Sequence, residues 1–182
     1  MPASATKALF AQTWFNGLRS AVYASGFIAL FAWMALDLRS FDSIFGVALP
    51  VSLVSVGFVV MLAGAALAVS CIATFVVRGR GTPAIFDPPR QFVAVGPYRY
   101  VRNPMYIGGF ILFLGLALYL RSVSILSMAA VFVPIVHLLV VLYEEPTLRR
   151  KFDGPYENYL STVARWLPRI PRANSSVASL HP

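Results

Sequence analysis

Apolar residues run almost unbroken through four stretches of this chain. Gly17 to Leu36 is apolar apart from Arg19 and small hydroxyl side chains, and as a helix rising 1.5 Å per residue it spans about the ~30 Å of a hydrocarbon core. Trp14 and Phe15, just before it, suit the membrane interface. A short polar break, Asp37 to Asp42, leads to the longest run, Ile44 to Val77, with Pro50 near its start. Val51 to Val77 alone reaches about 40 Å as a helix, so it must tilt or protrude. Gly57, Met61, Gly64 and Ala68 recur there at helical spacing, a face that lets a second helix approach closely, and we read it as packing. The third run starts at Pro104, a residue suited to a helix's first turn, and ends at Leu120. It is only about 25 Å long, which implies tilt or a thinned bilayer. Arg121-Ser122 leaves room for a turn and no more, and Val123 to Tyr143 returns with a kink expected at Pro134.

Between the second and third runs lies one long polar connection, Arg78 to Arg102. Gly79, Gly81, Pro83, Pro88, Pro89, Gly96 and Pro97 make it irregular. Arg78-Gly79-Arg80-Gly81 invites a nucleotide-loop reading, which fails because no strand precedes it. Leu148 to Leu167 is amphipathic and suited to lie on the membrane surface, and residues 171–182 are polar, small and expected to be disordered. The expectation is an all-α integral membrane helical bundle with about four transmembrane helices, a closing helical hairpin and a C-terminal cytoplasmic amphipathic segment. We divide it into supporting helices at 1–77, a chemical core at 78–170 and a tail at 171–182.

Composition agrees. Of 182 residues, 58% are hydrophobic and 12% charged, with mean hydropathy +0.72. Soluble domains carry about 25% charge. The single cysteine, Cys71, lies in an apolar run, so no intrachain disulfide can form. The net charge of +8 is laid out unevenly: thirteen of the fifteen basic residues fall on one side of a four-span topology, and only Arg39 and Arg121 on the other. By the positive-inside rule, both termini and the long loop are cytoplasmic, in a plasma-type or bacterial inner membrane. No cleavage-site pattern precedes the first span, so no removable signal peptide is expected. The basic excess is thus topology; the bilayer is the expected partner, with no nucleic acid and no obligate protein partner.

Both ends of the closing hairpin lie at one membrane surface. Topology therefore brings Arg102-Asn103-Pro104 to Glu144-Glu145, although about forty residues separate them. Carboxylates beside hydrocarbon need water or a partner, and the helix dipole disfavours acids at a C-terminus. Two together there imply a cationic ligand or a fixed arginine. Arg102, beside the exposed N–H groups of a helix start, suits a carboxylate or phosphate, whereas Arg99 reads as a membrane anchor. His137, seven residues before Glu144, is expected on the same helix face about 10 Å deeper. It is either functional or bonded to nearby backbone. Tyr98, Tyr100, Tyr106 and Tyr143 form either a cofactor wall or an interfacial belt. With two histidines and one cysteine the chain has no metal constellation, and it has no serine or cysteine triad. An enzyme of this kind takes its reactive group from a bound cofactor or substrate.

Gly96-Pro97-Tyr98, followed by Arg102-Asn103-Pro104-Met105-Tyr106-Ile107-Gly108, resembles the first half of the signature of the isoprenylcysteine carboxyl methyltransferase and phospholipid methyltransferase superfamily. Glu144-Glu145 with Leu148, Phe152, Tyr156, Tyr159, Arg165 and Pro168 resembles its second half. The resemblance covers roughly residues 80 to 170. It implies S-adenosyl-L-methionine as methyl donor and a lipophilic small-molecule or lipid acceptor entering from the bilayer. Gly96, Pro97, Tyr98, Arg102, Asn103, Pro104, Tyr106, Gly108, Glu144 and Glu145 are then the cofactor-binding candidates. Arg102, Glu144 and His137 are the catalytic candidates, and Tyr156, Tyr159 and Arg165 the substrate-binding ones. Asn103 departs from the family's usual histidine; it can hydrogen-bond but cannot titrate near neutral pH. The region also resembles NADPH-dependent sterol and steroid reductases, and a non-catalytic protein of the same fold is a third reading.

Overall fold

A computed structural model describes residues 3–79 and 93–168. Helix α1 (Ala3–Arg39) is followed by a single turn, α2 (Asp42–Phe45), and by α3 (Leu53–Thr74), which ends in a π-helical turn at Phe75–Gly79. A 3-10 turn at Gly96–Arg99 precedes α4 (Pro104–Leu120). Then come α5 (Val123–Leu139), a second π turn at Val140–Glu144, and α6 (Glu145–Thr162). Among the described residues there is no strand, only an isolated parallel bridge between Val101 and Ala164. Three segments are long and apolar enough to cross a membrane: Gly17–Phe45, Leu53–Arg78 and Val123–Thr162. Pro104–Leu120 is apolar but shorter. The architecture is the expected all-α membrane bundle, short third helix included. The 171–182 tail and residues 80–92 of the long connection lie outside the described residues.

The centre of the bundle is a glycine seam. Helices α3 and α4 run antiparallel, with Gly57 opposite Gly115 and Gly64 opposite Gly108. A Cβ on Gly64 would collide with the backbone of Leu112, and one on Gly115 with that of Met61. The two glycines on each helix are seven residues apart, about two helical turns, so both contacts fall on one face. Lipid tails are as apolar as leucine, and this backbone-to-backbone approach supplies the packing that hydrophobic burial cannot supply in a bilayer.

Polar backbone at the hairpin's tight end is satisfied locally. Arg121 closes α4 in the left-handed region (φ 57°), and Ser122 Oγ accepts a 3.1 Å bond from Ile125 N to cap α5. Asp42 Oδ1 accepts a further 2.9 Å bond from Ser124 N. At the other end, α5 continues through Pro134, and the change of register falls six residues later, in the π turn. Helix α6 bends at Asp153 (φ 41°), ahead of Gly154-Pro155. Its apolar face was expected on the membrane surface. Instead Tyr156 and Tyr159 are buried, and Tyr159 bonds to the 3-10 turn, so part of that face covers protein.

Candidate functional site

The site is assembled where the C-terminal ends of α3 and α5 meet the start of α4. The chain reaches α4 through the 3-10 turn, which Gly96 opens with φ 61°. A Cβ there would stand 2.8 Å from Thr74 Oγ1, so the turn is seated on the end of α3. Tyr98 anchors it, buried against Cys71 and Val93, with its ring edge-to-face on Phe75 at 5.0 Å. Burial holds the Tyr98 hydroxyl neutral by pushing its pKa well above the tyrosine range. Its carbonyl accepts a 2.5 Å bond from Tyr159 Oη.

After α6 the chain turns back as an extended strap, Val163–Trp166, laid along the start of α4. Arg102 N donates to Ala164 O at 2.9 Å, and Asn103 Nδ2 donates to Arg165 O at 3.3 Å. Asn103 therefore uses its side chain to hold the strap rather than to cap α4. Trp166 Nε1 donates to His137 Nδ1 at 3.1 Å, tying the strap's end to α5.

The two adjacent carboxylates differ in surroundings. Glu145 is clamped between two guanidinium groups: Arg165 Nε and Nη2 donate to its oxygens at 2.8 and 3.0 Å, and Arg102 Nη1 lies 3.1 Å from Oε1. The fork-on-carboxylate geometry is the strong form of this pair, and it favours the charged form of Arg165. Glu144 accepts a single 3.0 Å bond, from Tyr106 Oη, at Oε2. Its Oε1 has no partner among the described residues. Nor has Arg102 Nε, although that atom is buried. A buried N–H of a charged group left unmade costs ~1–3 kcal/mol or more, so this edge of Arg102 is complementary to an anion. The group as a whole offers an unfilled cationic edge on Arg102 and an unfilled carboxylate oxygen on Glu144, the chain neighbour of the Glu145 that Arg102 grips. That donor set fits a zwitterionic amino-acid end, with a carboxylate for Arg102 and an ammonium for Glu144.

Residues 52–154, more than half of the chain, match the family model for phospholipid methyltransferase. The chain belongs to this family. No curated protein and no solved structure matches it. Membership makes it a membrane methyltransferase of the phospholipid and isoprenylcysteine type. The family match takes in α3, the glycine seam, Arg102, Asn103, Tyr106 and both glutamates, and it stops before Tyr156, Tyr159 and Arg165.

Among the candidates read from sequence, Arg102, Asn103, Glu145 and Arg165 form one connected network, and Glu144 adjoins it with Tyr106. Gly108 and buried Pro104 sit in the packing of α4, Gly108 within 3.1 Å of the α3 backbone were it to carry a Cβ. Gly96, Pro97 and Tyr98 build the turn that aims Arg102. Tyr156 and Tyr159 are buried under the strap's approach, their rings 6.2 Å apart. His137 is an acceptor for Trp166 rather than for backbone, and the π turn between it and Glu144 adds a residue to the helical register that its expected face assumed. Trp166 is the participant that sequence reasoning missed. Its only signal was an indole three residues beyond Val163 on a segment that reads as amphipathic.

Proposed function

We propose that this phospholipid-methyltransferase family member transfers a methyl group from S-adenosyl-L-methionine to a lipophilic acceptor at the cytoplasmic surface of the membrane. The observation that carries the proposal is the unspent bonding capacity at the start of α4: Arg102 Nε, buried without a partner among the described residues, near a carboxylate with a free oxygen. When bound, the cofactor supplies a methyl group already activated on a sulfonium, so the protein needs alignment and exclusion of water rather than a nucleophile. Arg102 receives the cofactor's carboxylate. Glu144, oriented by Tyr106, takes its ammonium or a ribose hydroxyl. Glu145 fixes the two arginines, and Arg165 with Asn103 holds the strap that covers the site. In this reading His137 and Trp166 are positioning residues, and Tyr156 and Tyr159 support the wall behind the strap. The acceptor reaches the site laterally from the bilayer, beside the short α4.

Calorimetric titration of the detergent-purified chain with S-adenosylhomocysteine, and in parallel with NADPH, tests this. Binding of the first alone is expected. Binding of NADPH alone would transfer the chain to reductase chemistry, and binding of neither by folded protein would leave it without this catalytic role. Transfer of labelled methyl from S-adenosyl-L-methionine into the organic phase of lipid-supplemented reactions then identifies the acceptor class.

A further inference from the structure

At the opposite end of the bundle, a 17-residue helix away and so about 25 Å from Arg102, lies a cavity of about 450 Å³. It is walled by Arg39 and Asp42 at the end of α1 and start of α2, by Gly46, Val47 and Ala48 in the connection to α3, and by Leu120-Arg121 at the α4–α5 turn. Its two guanidinium groups belong to Arg39 and Arg121, the only basic residues on that side of the four-span topology. Chance would scatter two such residues around the rim of a bundle, and membrane insertion disfavours basic residues on this face. Here both line one hollow.

The charges in the hollow do not cancel. Asp42 spends Oδ1 on Ser124 N at 2.9 Å and lies within electrostatic reach of Arg39, yet no ion pair forms between them among the described residues. Arg121 spends Nε on Leu49 O at 2.6 Å, which fixes the guanidinium and leaves its two terminal nitrogens without described partners. The sum is one carboxylate against two cations, in a hollow completed by the Ser43 hydroxyl and by Gly46, Val47, Ala48 and Leu120. It lies at the level where the apolar spans end, the depth of lipid headgroups. A planar fork held from behind by a backbone carbonyl is the geometry that receives phosphate oxygens.

We propose that this cavity binds a phosphate-bearing anion through Arg39 and Arg121, linking the end of α1 to the α4–α5 turn. Its mixed lining, with Val47 and Leu120 beside the charged groups, and its depth suit the phosphodiester of an anionic lipid, and the same two arginines would accept free phosphate. The link has structural consequence because most of the membrane window of α1 faces away from the rest of the protein, with 6% of it buried, so a tie at its end adds to few protein contacts. A ligand that binds the folded state alone raises its stability by mass action.

The test uses the full chain, purified in detergent and freed of lipid and phosphate, in thermal unfolding with three additions. These are phosphatidylglycerol in mixed micelles, inorganic phosphate, and monoolein as a lipid without phosphate. Phosphatidylglycerol is expected to raise the Tm by about 2–4 °C, the shift that ~1 kcal/mol gives a chain of this size. A shift with phosphatidylglycerol alone identifies a lipid, and an equal shift with inorganic phosphate identifies the free anion as sufficient. Arg39→Gln, at an exposed end of α1 with no described bond to lose, should abolish the shift, Arg39→Lys should keep part of it, and Arg150→Gln at the far end should keep all of it. A shift that survives in Arg39→Gln, or that monoolein reproduces, would overturn the proposal.

Discussion

The glycine seam between α3 and α4 and the charged cap above it solve opposite problems. In the seam, polar and charged side chains are absent and backbones touch, so stability comes from shape at positions where even a methyl group does not fit. In the cap, buried charge is added to packing: one carboxylate is held by two arginines, with a strap bonded across it. The seam tolerates no added volume, and the cap tolerates no loss of the charge on Glu145. A region that must admit a ligand keeps unfilled bonding capacity, and the cap keeps it at Arg102 Nε; the seam keeps none.

The largest effect expected in the molecule is therefore in the seam. Gly115→Val places a side chain into the backbone of Met61 with no flexible neighbour to give way. We expect a loss of about 3 kcal/mol or more, at the upper end of overpacking costs, and gel filtration in detergent should show aggregated rather than monodisperse protein. Next is the clamp. Glu145→Gln leaves Arg102 and Arg165 facing each other across an uncharged amide, and removal of one partner from a buried pair costs ~3 kcal/mol. Because Arg165 is only partly buried, solvent should reduce that figure. The variant should lose both thermal stability and S-adenosylhomocysteine binding.

Glu144→Gln separates the cap's two tasks. Tyr106 can donate to the amide oxygen as it did to the carboxylate, so the melting temperature should stay within a degree or two of wild type. Binding of S-adenosylhomocysteine should fall about tenfold to a hundredfold, the equivalent of one hydrogen bond to a charged group. If Glu144→Gln unfolds the protein while Glu145→Gln merely weakens binding, the division of labour between the glutamates is reversed.

One side of the seam was legible in the sequence. Gly57 and Gly64 stood out as a small-residue face on the second span, whereas Gly108 reads as a cofactor contact and Gly115 carries no signal, so the partner helix required coordinates. The all-α membrane architecture and the short α4 were legible for the same reason: apolar run length maps directly onto bilayer thickness. The cap was legible in part. Hairpin topology alone brings Arg102 to the glutamates, but adjacency in sequence could not tell Glu144 from Glu145, because successive helical residues differ by about 100° and face different neighbours. The reading of His137 rested on a related assumption. A seven-residue spacing implies a shared face only in an unbroken α-helix, and the π turn at Val140–Glu144 inserts one residue into that count. Trp166 was missed because an extended strap has no periodicity to betray which neighbour it meets.

A smaller effect is expected where the strap meets α5. Trp166→Phe keeps the ring and removes the 3.1 Å donor to His137. A loss of about 1 kcal/mol follows from one hydrogen bond, read as a lower melting temperature. As a positioning residue it should weaken S-adenosylhomocysteine binding severalfold while leaving the acceptor's KM unchanged, whereas a merely structural tryptophan would lower stability with no change in ligand affinity.

The smallest effect sets two arginines three residues apart against each other. Arg99 is exposed, with its guanidinium 5.4 Å from the Tyr100 ring centroid. Such an exposed contact is worth ~0.5–1 kcal/mol. Arg102 is mostly buried, bonded to Glu145 and carrying the free Nε. Arg99→Gln should therefore change S-adenosylhomocysteine affinity less than twofold, while Arg102→Gln should abolish measurable binding. Arg99 stays useful as an interfacial anchor, so its loss should show in membrane-insertion yield before it shows in ligand titration. Equal losses of affinity in the two variants would mean that the cap attracts its ligand through net positive charge at the membrane surface. That outcome would remove the reason for assigning the buried edge of Arg102 to a specific carboxylate.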